Sequence, residues 1–312
     1  MECQFPCSCH SGSNIYNLFF PSPNLPVSLR LFDMNIGISP LPVSVVIPCF
    51  RCRLTIGRAI ESVLSQTAKP FEVILIEDFS LDGTLEALLD IERCSFGVVK
   101  VIAMERNLGA ACARNAGWAF ATQHYVAFLD ADDSWHPEKL RIQYSYMKMN
   151  TSVKLSGHRC VELDHIALPP PLAESWVANR ISLGSLLFKN AFSTPTVMLV
   201  RDIPFRFQPG KRYAEDFLLW QQVAASGSQV ARIELPLAYV HKPLYGSDGL
   251  SGQLWKMERG ELAGFVTLYR TRVIGVVMCA ATMLFSILKF GLRVISVQWM
   301  ELKRTWTGVK GN

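Results

Sequence analysis

Between residues 43 and 140 the chain passes four times from a short apolar run to a helical pattern, and this rhythm limits the fold more than any other feature. Val43-Ser-Val-Val-Ile47, ended by Pro48, reads as a buried strand. Ile56, Ala59, Ile60, Val63 and Leu64 then recur at helical spacing, with Thr55 as the expected cap. Glu72–Ile76, Val98–Ala103 and Tyr125–Leu129 read as further strands. Helical segments follow them around Leu85–Leu89, over Ala110–Ala121 and from near Pro137. Such alternation predicts an α/β fold, Rossmann-like, with a mostly parallel sheet flanked by helices on both faces. In sheets of that kind ligands sit beyond the carboxyl ends of the strands, so the polar loops after each strand are where chemistry is expected.

The loop after the fourth strand carries the densest charge. Phe128-Leu-Asp130-Ala-Asp132-Asp133 places three carboxylates within four residues, which is costly unless something positive neutralises them. Asp130 and Asp132 stand two apart and share a side of extended backbone, flanking Ala131. They suit one Mg2+ or Mn2+, hard cations that take oxygen ligands and diphosphates. A solvated acidic turn ahead of Pro137 would use the same residues. Glu77 and Asp78 end the second strand, where a carboxylate can accept hydrogen bonds from a base or ribose. Asp82-Gly83-Thr84 behind them equally suits an Asx turn. After the third strand come Arg106-Asn107-Leu-Gly109, then Ala113-Arg114-Asn115-Ala-Gly117. A glycine opening a helix favours close approach of a phosphate, and Arg114 is placed to pair with a diphosphate or to face solvent.

Together these four motifs resemble the N-terminal half of a family 2 glycosyltransferase of the GT-A type, over about 100 residues. The resemblance implies a GT-A fold, a nucleotide-diphospho-sugar donor, a divalent metal and inversion at the anomeric carbon. It also implies that Asp78 meets the base and that Asp132, with Asp130, contacts the metal. Pro48, Phe50, Glu77, Asn107, Gly109, Arg114 and Ala131 are carried over with their motifs as donor-binding residues. Two positions depart from the family pattern: Phe79 replaces a glycine, and Phe50 replaces a tyrosine.

Beyond residue 150 the alternation weakens. Thr196–Val200 reads as a strand and Tyr213–Ala225 as a helix that buries Phe217, Leu218, Val223 and Ala224 and ends at Gly227. Val230–Val240 reads as extended chain. Glu215-Asp216-Phe-Leu-Leu-Trp220 is similar to the family's base motif. An inverting transfer needs a carboxylate to take the acceptor hydroxyl's proton, which assigns Asp216 as base and Glu215 as its neighbour at the acceptor. An acidic first turn that complements the helix dipole is the plain alternative. His241, opening a loop with three glycines that is expected to be mobile, is assigned to the diphosphate, and Trp220 to the core.

Composition decides what the tail is. Half the residues are hydrophobic and 18% charged, with a mean hydropathy of +0.21. Val273–Leu288 holds no charge in 16 residues and is flanked by Arg270, Arg272, Lys289 and Arg293. A full span needs roughly 20 apolar residues, so the tail reads as an interfacial or shallowly inserted helix, with a hydrophobic helix buried against the domain or a partner chain as the alternative. The expectation is a membrane-associated protein at the cytoplasmic face, acting on a polysaccharide or lipid-linked acceptor in cell-surface glycan synthesis. The net charge of +5 suits phosphate-bearing ligands or anionic membranes and is too weak for nucleic acid. Nine cysteines at irregular spacing point to free thiols in a reducing compartment. Cys3, Cys7, Cys9 and His10 crowd the start without the second pair a zinc finger needs. No charged-then-apolar signal segment opens the chain, and Met34 is a candidate start.

The expected organisation is a poorly ordered extension over 1–40, a GT-A domain over 41–252 and a hydrophobic helical tail over 253–312. Within the domain, 41–150 is the nucleotide-binding half and 151–252 the acceptor half. Three other readings remain. A sugar nucleotidyltransferase would share fold and metal but needs a glycine after the first strand, where Pro48-Cys-Phe-Arg-Cys-Arg53 has none. A non-catalytic carbohydrate-assembly partner would bind donor without turnover. A thiol-disulfide oxidoreductase would use Cys49 and Cys52.

Overall fold

The computed structural model describes residues 39–163, 169–241 and 254–308, with side chains to residue 295. The N-terminal cysteines, His10, Met34 and the glycine-rich loop after His241 lie outside the described residues.

The four expected strands form as β1 (Leu41–Cys49), β2 (Pro70–Glu77), β3 (Val99–Ala103) and β4 (Tyr125–Phe128). They pair in parallel in the order β3-β2-β1-β4. Five consecutive residues of β1, Val43–Ile47, are fully buried, because helices cover both faces. Val43, Val45 and Ile47 pack with Ile56, Ala59, Ile60 and Val63 of α1 (Ile56–Leu64), and with Leu88 of α2 (Thr84–Cys94). Val46 points the other way, to Ala113 and Trp118 of α3 (Ala110–Phe120). Helix α3 comes so close that a Cβ on Gly117 would lie 2.4 Å from Val46 Cγ1.

Thr55 does not cap α1. Its backbone is helical and its hydroxyl donates to the Cys52 carbonyl instead. The acidic loop leads through a two-residue strand, β5 (Ser134–Trp135), to α4 (Lys139–Met149), which starts two residues after Pro137.

The sheet does not stay parallel. After β6 (Val153–Glu162) and the short β7 (Ala178–Arg180) come α5 (Leu183–Phe188), a 3-10 turn at Thr194–Thr196, and β8 (Met198–Val200). Strand β8 is antiparallel to both β4 and β6. Helix α6 (Glu215–Ala225) precedes β9 (Gln229–Val240), which runs parallel to β6 and antiparallel to β5 and β7. The nine described strands therefore form one mixed sheet. Phe217, Leu218 and Val223 of α6 are buried, and Ala224 is half-buried. Gly227, at φ 82°, follows the helix in the left-handed conformation that ends helices. Trp220 is fully buried against Phe207, a core role.

Two helices complete the chain: α7 (Leu254–Arg270) and α8 (Val276–Gly308). Within α8, Val276–Ile295 is long and apolar enough to cross a membrane, and 22% of that stretch is buried. All six described cysteines are free.

Candidate functional site

The loops that follow β1, β2, β3 and β4 all open on one edge of the sheet and wall a cavity of about 540 Å3. Pro48 and Phe50 come from the first loop, Asp78 from the second and Asn107 and Gly109 from the third. Asp130, Ala131 and Asp132 come from the fourth, while Arg114 of α3 and Glu215 of α6 reach in from the helices. The parallel order of β1 to β4 brings the four loops together, and α6 adds Glu215, so the lining draws on more than 160 residues of sequence.

Local hydrogen bonds explain how the walls hold their shape. Buried Asp78 accepts from the Leu108 amide through Oδ1 and the Gly109 amide through Oδ2, both at 2.8 Å. Asn107 Nδ2 donates to the Asp78 carbonyl at 2.9 Å. The carboxylate thus ties the second loop to the third and satisfies amides at the start of α3. Gly109, at φ 84° and ψ 166°, takes a backbone shape that other residues avoid. Glu77 is buried outside the lining and turned inward, where its carboxylate accepts from the amides of Phe79 at 3.1 Å and Ser80 at 2.6 Å. Those bonds flank Phe79, which sits at φ 58°, and Leu81, two residues on, is at φ 56°. The residue that replaces the family's glycine therefore occupies a left-handed conformation in which a side chain is strained.

The charges are arranged as a chain. Buried Arg114 donates through Nη2 to Asp130 Oδ1 at 2.7 Å and through Nη1 to Glu215 Oε1 at 2.9 Å, and it lies over the Phe207 ring. Burial works against the guanidinium's charge, but Asp130 and Glu215 outweigh it and its pKa is raised. The charge expected to meet a diphosphate is thus engaged by two carboxylates. Arg58 donates to the Asp132 carbonyl at 2.6 Å and holds the acidic turn from the side of α1.

Asp216 is partly buried behind Glu215 and does not line the cavity. Its Oδ1 accepts from the Phe217 amide at 2.7 Å, and its Oδ2 from Thr194 Oγ1 at 3.3 Å. Burial, with Glu215 beside it, pushes its carboxyl up to about 6 against the pull of Arg114. That value suits a base working near neutral pH. His241 is also outside the lining, with Nε2 bonded to Ser134 Oγ at 2.7 Å.

Lys211, Arg212 and Tyr213 line the cavity as well, and the sequence reading did not single them out. The available signal was a basic pair just ahead of Glu215-Asp216, in the loop that enters α6. Lys211 is half-buried, which lowers its pKa, and its ammonium donates to the Gly260 carbonyl of α7. Arg212 is exposed. Cys49 and Cys52 share the same wall. Burial, then the neighbouring Cys52, pushes the Cys49 thiol well up, the opposite of what a redox nucleophile needs.

Among the described residues no three His, Cys, Asp or Glu side chains gather around one point. A metal at Asp130 and Asp132 would therefore take one or two protein carboxylates and draw its other ligands from phosphates and water. That is the usual mode for Mg2+ in nucleotide sites, so this hard-oxygen donor set fits such an ion.

Comparison with known proteins agrees with this arrangement. Residues 44–201 match the family described as glycosyl transferase family 2. The amylovoran biosynthesis glycosyltransferase AmsB of Erwinia amylovora is 38% identical over 209 residues, 64% of this chain and 69% of the relative. A second relative is the UDP-Glc:alpha-D-GlcNAc-diphosphoundecaprenol beta-1,3-glucosyltransferase WfgD of Escherichia coli. It is 30% identical over 182 residues, 58% of this chain and 69% of the relative. The mannosyltransferase PcManGT of Pyrobaculum calidifontis, solved with GDP-Man and Mn2+, superposes with a TM-score of 0.58 at 16% identity. That match covers 87% of this chain and 86% of the other and establishes the likeness of fold. With four strand-end loops converging on one acidic cavity, the chain belongs to glycosyl transferase family 2: it is a glycosyltransferase with a GT-A-type α/β fold.

Proposed function

We propose that the protein is an inverting transferase that moves a sugar from a nucleotide-diphospho-sugar to a lipid-linked or polysaccharide acceptor in cell-surface glycan synthesis. It would work at the cytoplasmic face of a membrane. The observation that carries the reading is the single cavity in which Asp78, Asp130, Asp132 and the Gly109 turn meet. The relatives' acceptors point the same way: WfgD is named for a diphosphoundecaprenol-linked sugar and AmsB for amylovoran biosynthesis.

Asp78 lies at the cavity end formed by the second and third loops, where a nucleoside would be read. The opening turn of α3, with Gly109 at its start, offers a helix N-terminus to a diphosphate. Asp130 and Asp132 would hold a divalent cation, which when bound neutralises the departing diphosphate as a Lewis acid. Arg114 fixes Asp130 and Glu215 relative to each other. Asp216 accepts the proton of the acceptor hydroxyl as that oxygen forms its bond to the anomeric carbon. The bond from that carbon to the diphosphate oxygen breaks in the same step, and a nucleoside diphosphate leaves. Glu215 contributes in two ways, by facing the cavity and by helping to raise the Asp216 carboxyl.

The test is release of the nucleotide, a nucleoside diphosphate from UDP-, GDP- and dTDP-sugars and CMP from a CMP-sugar control, with Mn2+ and a polyprenyl-diphosphate-linked sugar as acceptor. One donor should turn over and Asp132→Ala should abolish it. Turnover that survives Asp132→Ala would refute the reading.

A further inference from the structure

The two tail helices carry more information than their hydropathy. A stretch of 20 residues is about 30 Å of helix, the thickness of a bilayer core, so length alone would let Val276–Ile295 cross. Packing argues otherwise. Cys279, Thr282, Ser286 and Phe290 are buried, forming one stripe at three- and four-residue spacing along α8. That stripe runs against α7: Cys279 Sγ lies 3.7 Å from the Phe265 carbonyl, Lys289 pairs with Glu261 at 2.9 Å, and Phe290 meets Trp255. Phe285 packs on Phe188 of α5. Helix α7 in turn sits on the catalytic domain, with Phe265 on Phe217 of α6 and Gly260 against Tyr213. If α8 crossed a bilayer in this arrangement, it would draw Glu258, Glu261 and part of the domain into hydrocarbon, where backbone and charge go unsatisfied.

The opposite face of α8 is apolar and open. Val276, Val277, Leu284, Ile287, Leu288 and Ile295 are each about half or more exposed. Around it, residues 254–295 carry six cations (Lys256, Arg259, Arg270, Arg272, Lys289 and Arg293) against two acids, Glu258 and Glu261. Glu258 is buried, and Glu261 and Lys289 neutralise each other, which leaves five cations and no exposed unpaired acid toward an anionic surface. Trp255 and Tyr269, near the two ends of α7, are exposed aromatics of the kind that settle at headgroup level.

We propose that α8 is an in-plane anchor. Its open face lies at the boundary between headgroups and acyl chains of an anionic bilayer, while its packed face stays on the catalytic domain. This deepens the membrane part of the proposed function and rests on it. Because Gly260 and the Lys211–Gly260 contact join α7 to the cavity loop, the anchor also fixes the orientation of the cavity relative to the lipid surface.

The experiment uses the full chain with a protease-cleavable tag placed after Asn312, mixed with sealed vesicles of phosphatidylcholine with and without phosphatidylglycerol. Co-sedimentation should be strong only with phosphatidylglycerol, weaken in high salt, and fall by about tenfold or more in the Leu284→Glu, Leu288→Glu double variant. Added protease should remove the tag from the vesicle-bound protein. A protected tag would mean a spanning helix and overturn the proposal. Absence of vesicle binding, with a dimer in light scattering that the double variant dissociates, would assign the face to a second copy and also overturn it. A donor-induced thermal shift, measured in parallel, separates the two claims. If the double variant keeps the shift, it is folded and its loss of vesicle binding reports on the anchor. A wild-type chain that binds vesicles but no activated sugar would refute the transfer reading and leave the anchor standing.

Discussion

Asp216→Asn should separate activity from stability in opposite directions. The carboxyl, ordinarily near 3.8, sits at about 6 in the folded protein, with burial as the first cause and Glu215 as the second. A folded-state value above the unfolded one means that the native protein binds this proton more tightly. The resulting stability is fully present below about pH 4 and is lost as pH rises through about 6. At pH 8 the ionised carboxylate costs the fold about 3 kcal/mol, an upper figure set by that difference in pKa. Asparagine keeps an oxygen for the Phe217 amide and an amide group for Thr194 while removing the charge. The variant should therefore be more stable than wild type at pH 8 by up to about 3 kcal/mol in denaturant unfolding, and equal to it at pH 4. Its donor turnover should fall about 10²- to 10⁴-fold. The wild-type kcat/KM should rise with pH through an apparent value near 6, and the variant's profile should lose that limb. A variant with wild-type turnover, or no stability gain at pH 8, would refute both the assignment and its cause.

Three other substitutions probe the architecture around that carboxylate. Arg114→Met should destabilise the protein by about 3–5 kcal/mol in denaturant titration, because it leaves the partly buried Asp130 and Glu215 carboxylates unpaired. It should also move the Asp216 limb of the pH profile above 6, since Arg114 now holds that carboxyl down. Gly117→Ala should cost about 1–3 kcal/mol in the same titration, because its Cβ would press on Val46 in the central strand. Gly260→Ala would place a Cβ 2.5 Å from the Tyr213 carbonyl and displace the cavity loop, so steady-state kinetics should show a raised KM for donor.

The first half of the fold was legible because central parallel strands are written as unbroken apolar runs. Val43–Ile47 and Val73–Ile76 are buried on both faces, and their runs show it. The second half was legible in part: Thr196–Val200, Tyr213–Ala225 and Val230–Val240 anticipate β8, α6 and β9, but β5, β6 and β7 were missed, for local reasons. Strand β5 is two residues long, β7 is three, and β6 mixes Lys154, His158 and Arg159 into its sequence and shifts register against β9. Such strands exist through their pairing, which no sequence window contains. The tail's apolar face was visible, but the stripe that fastens it to α7 required the structure.

The site divides the same way. Asp78, Gly109, Asp130 and Asp132 could be singled out because each lies in a loop that follows a strand whose end could be located, and they do line one cavity. Arg114 was read as facing either a phosphate or solvent, but it pairs with Asp130 and with Glu215, the latter 101 residues away. Lys211 and Arg212 lie in an irregular loop with no periodicity to mark it, and Tyr213 was read as the start of a helix that begins at Glu215, so only the structure shows that all three face the cavity. Glu77 reads like its neighbour Asp78, yet the pleat turns it inward to hold the Phe79 turn.

The central claim is that carboxylates at the ends of separate strands converge on the cation-bound diphosphate of an activated sugar. Calorimetric titration of the nucleotide sugar identified by the turnover screen tests it most directly, run with and without Mn2+ on wild type and Asp132→Ala. Binding that requires Mn2+ in wild type and is at least about tenfold weaker in the variant, a difference of about 1.4 kcal/mol, is the predicted result. Equal affinity in all four titrations would contradict it.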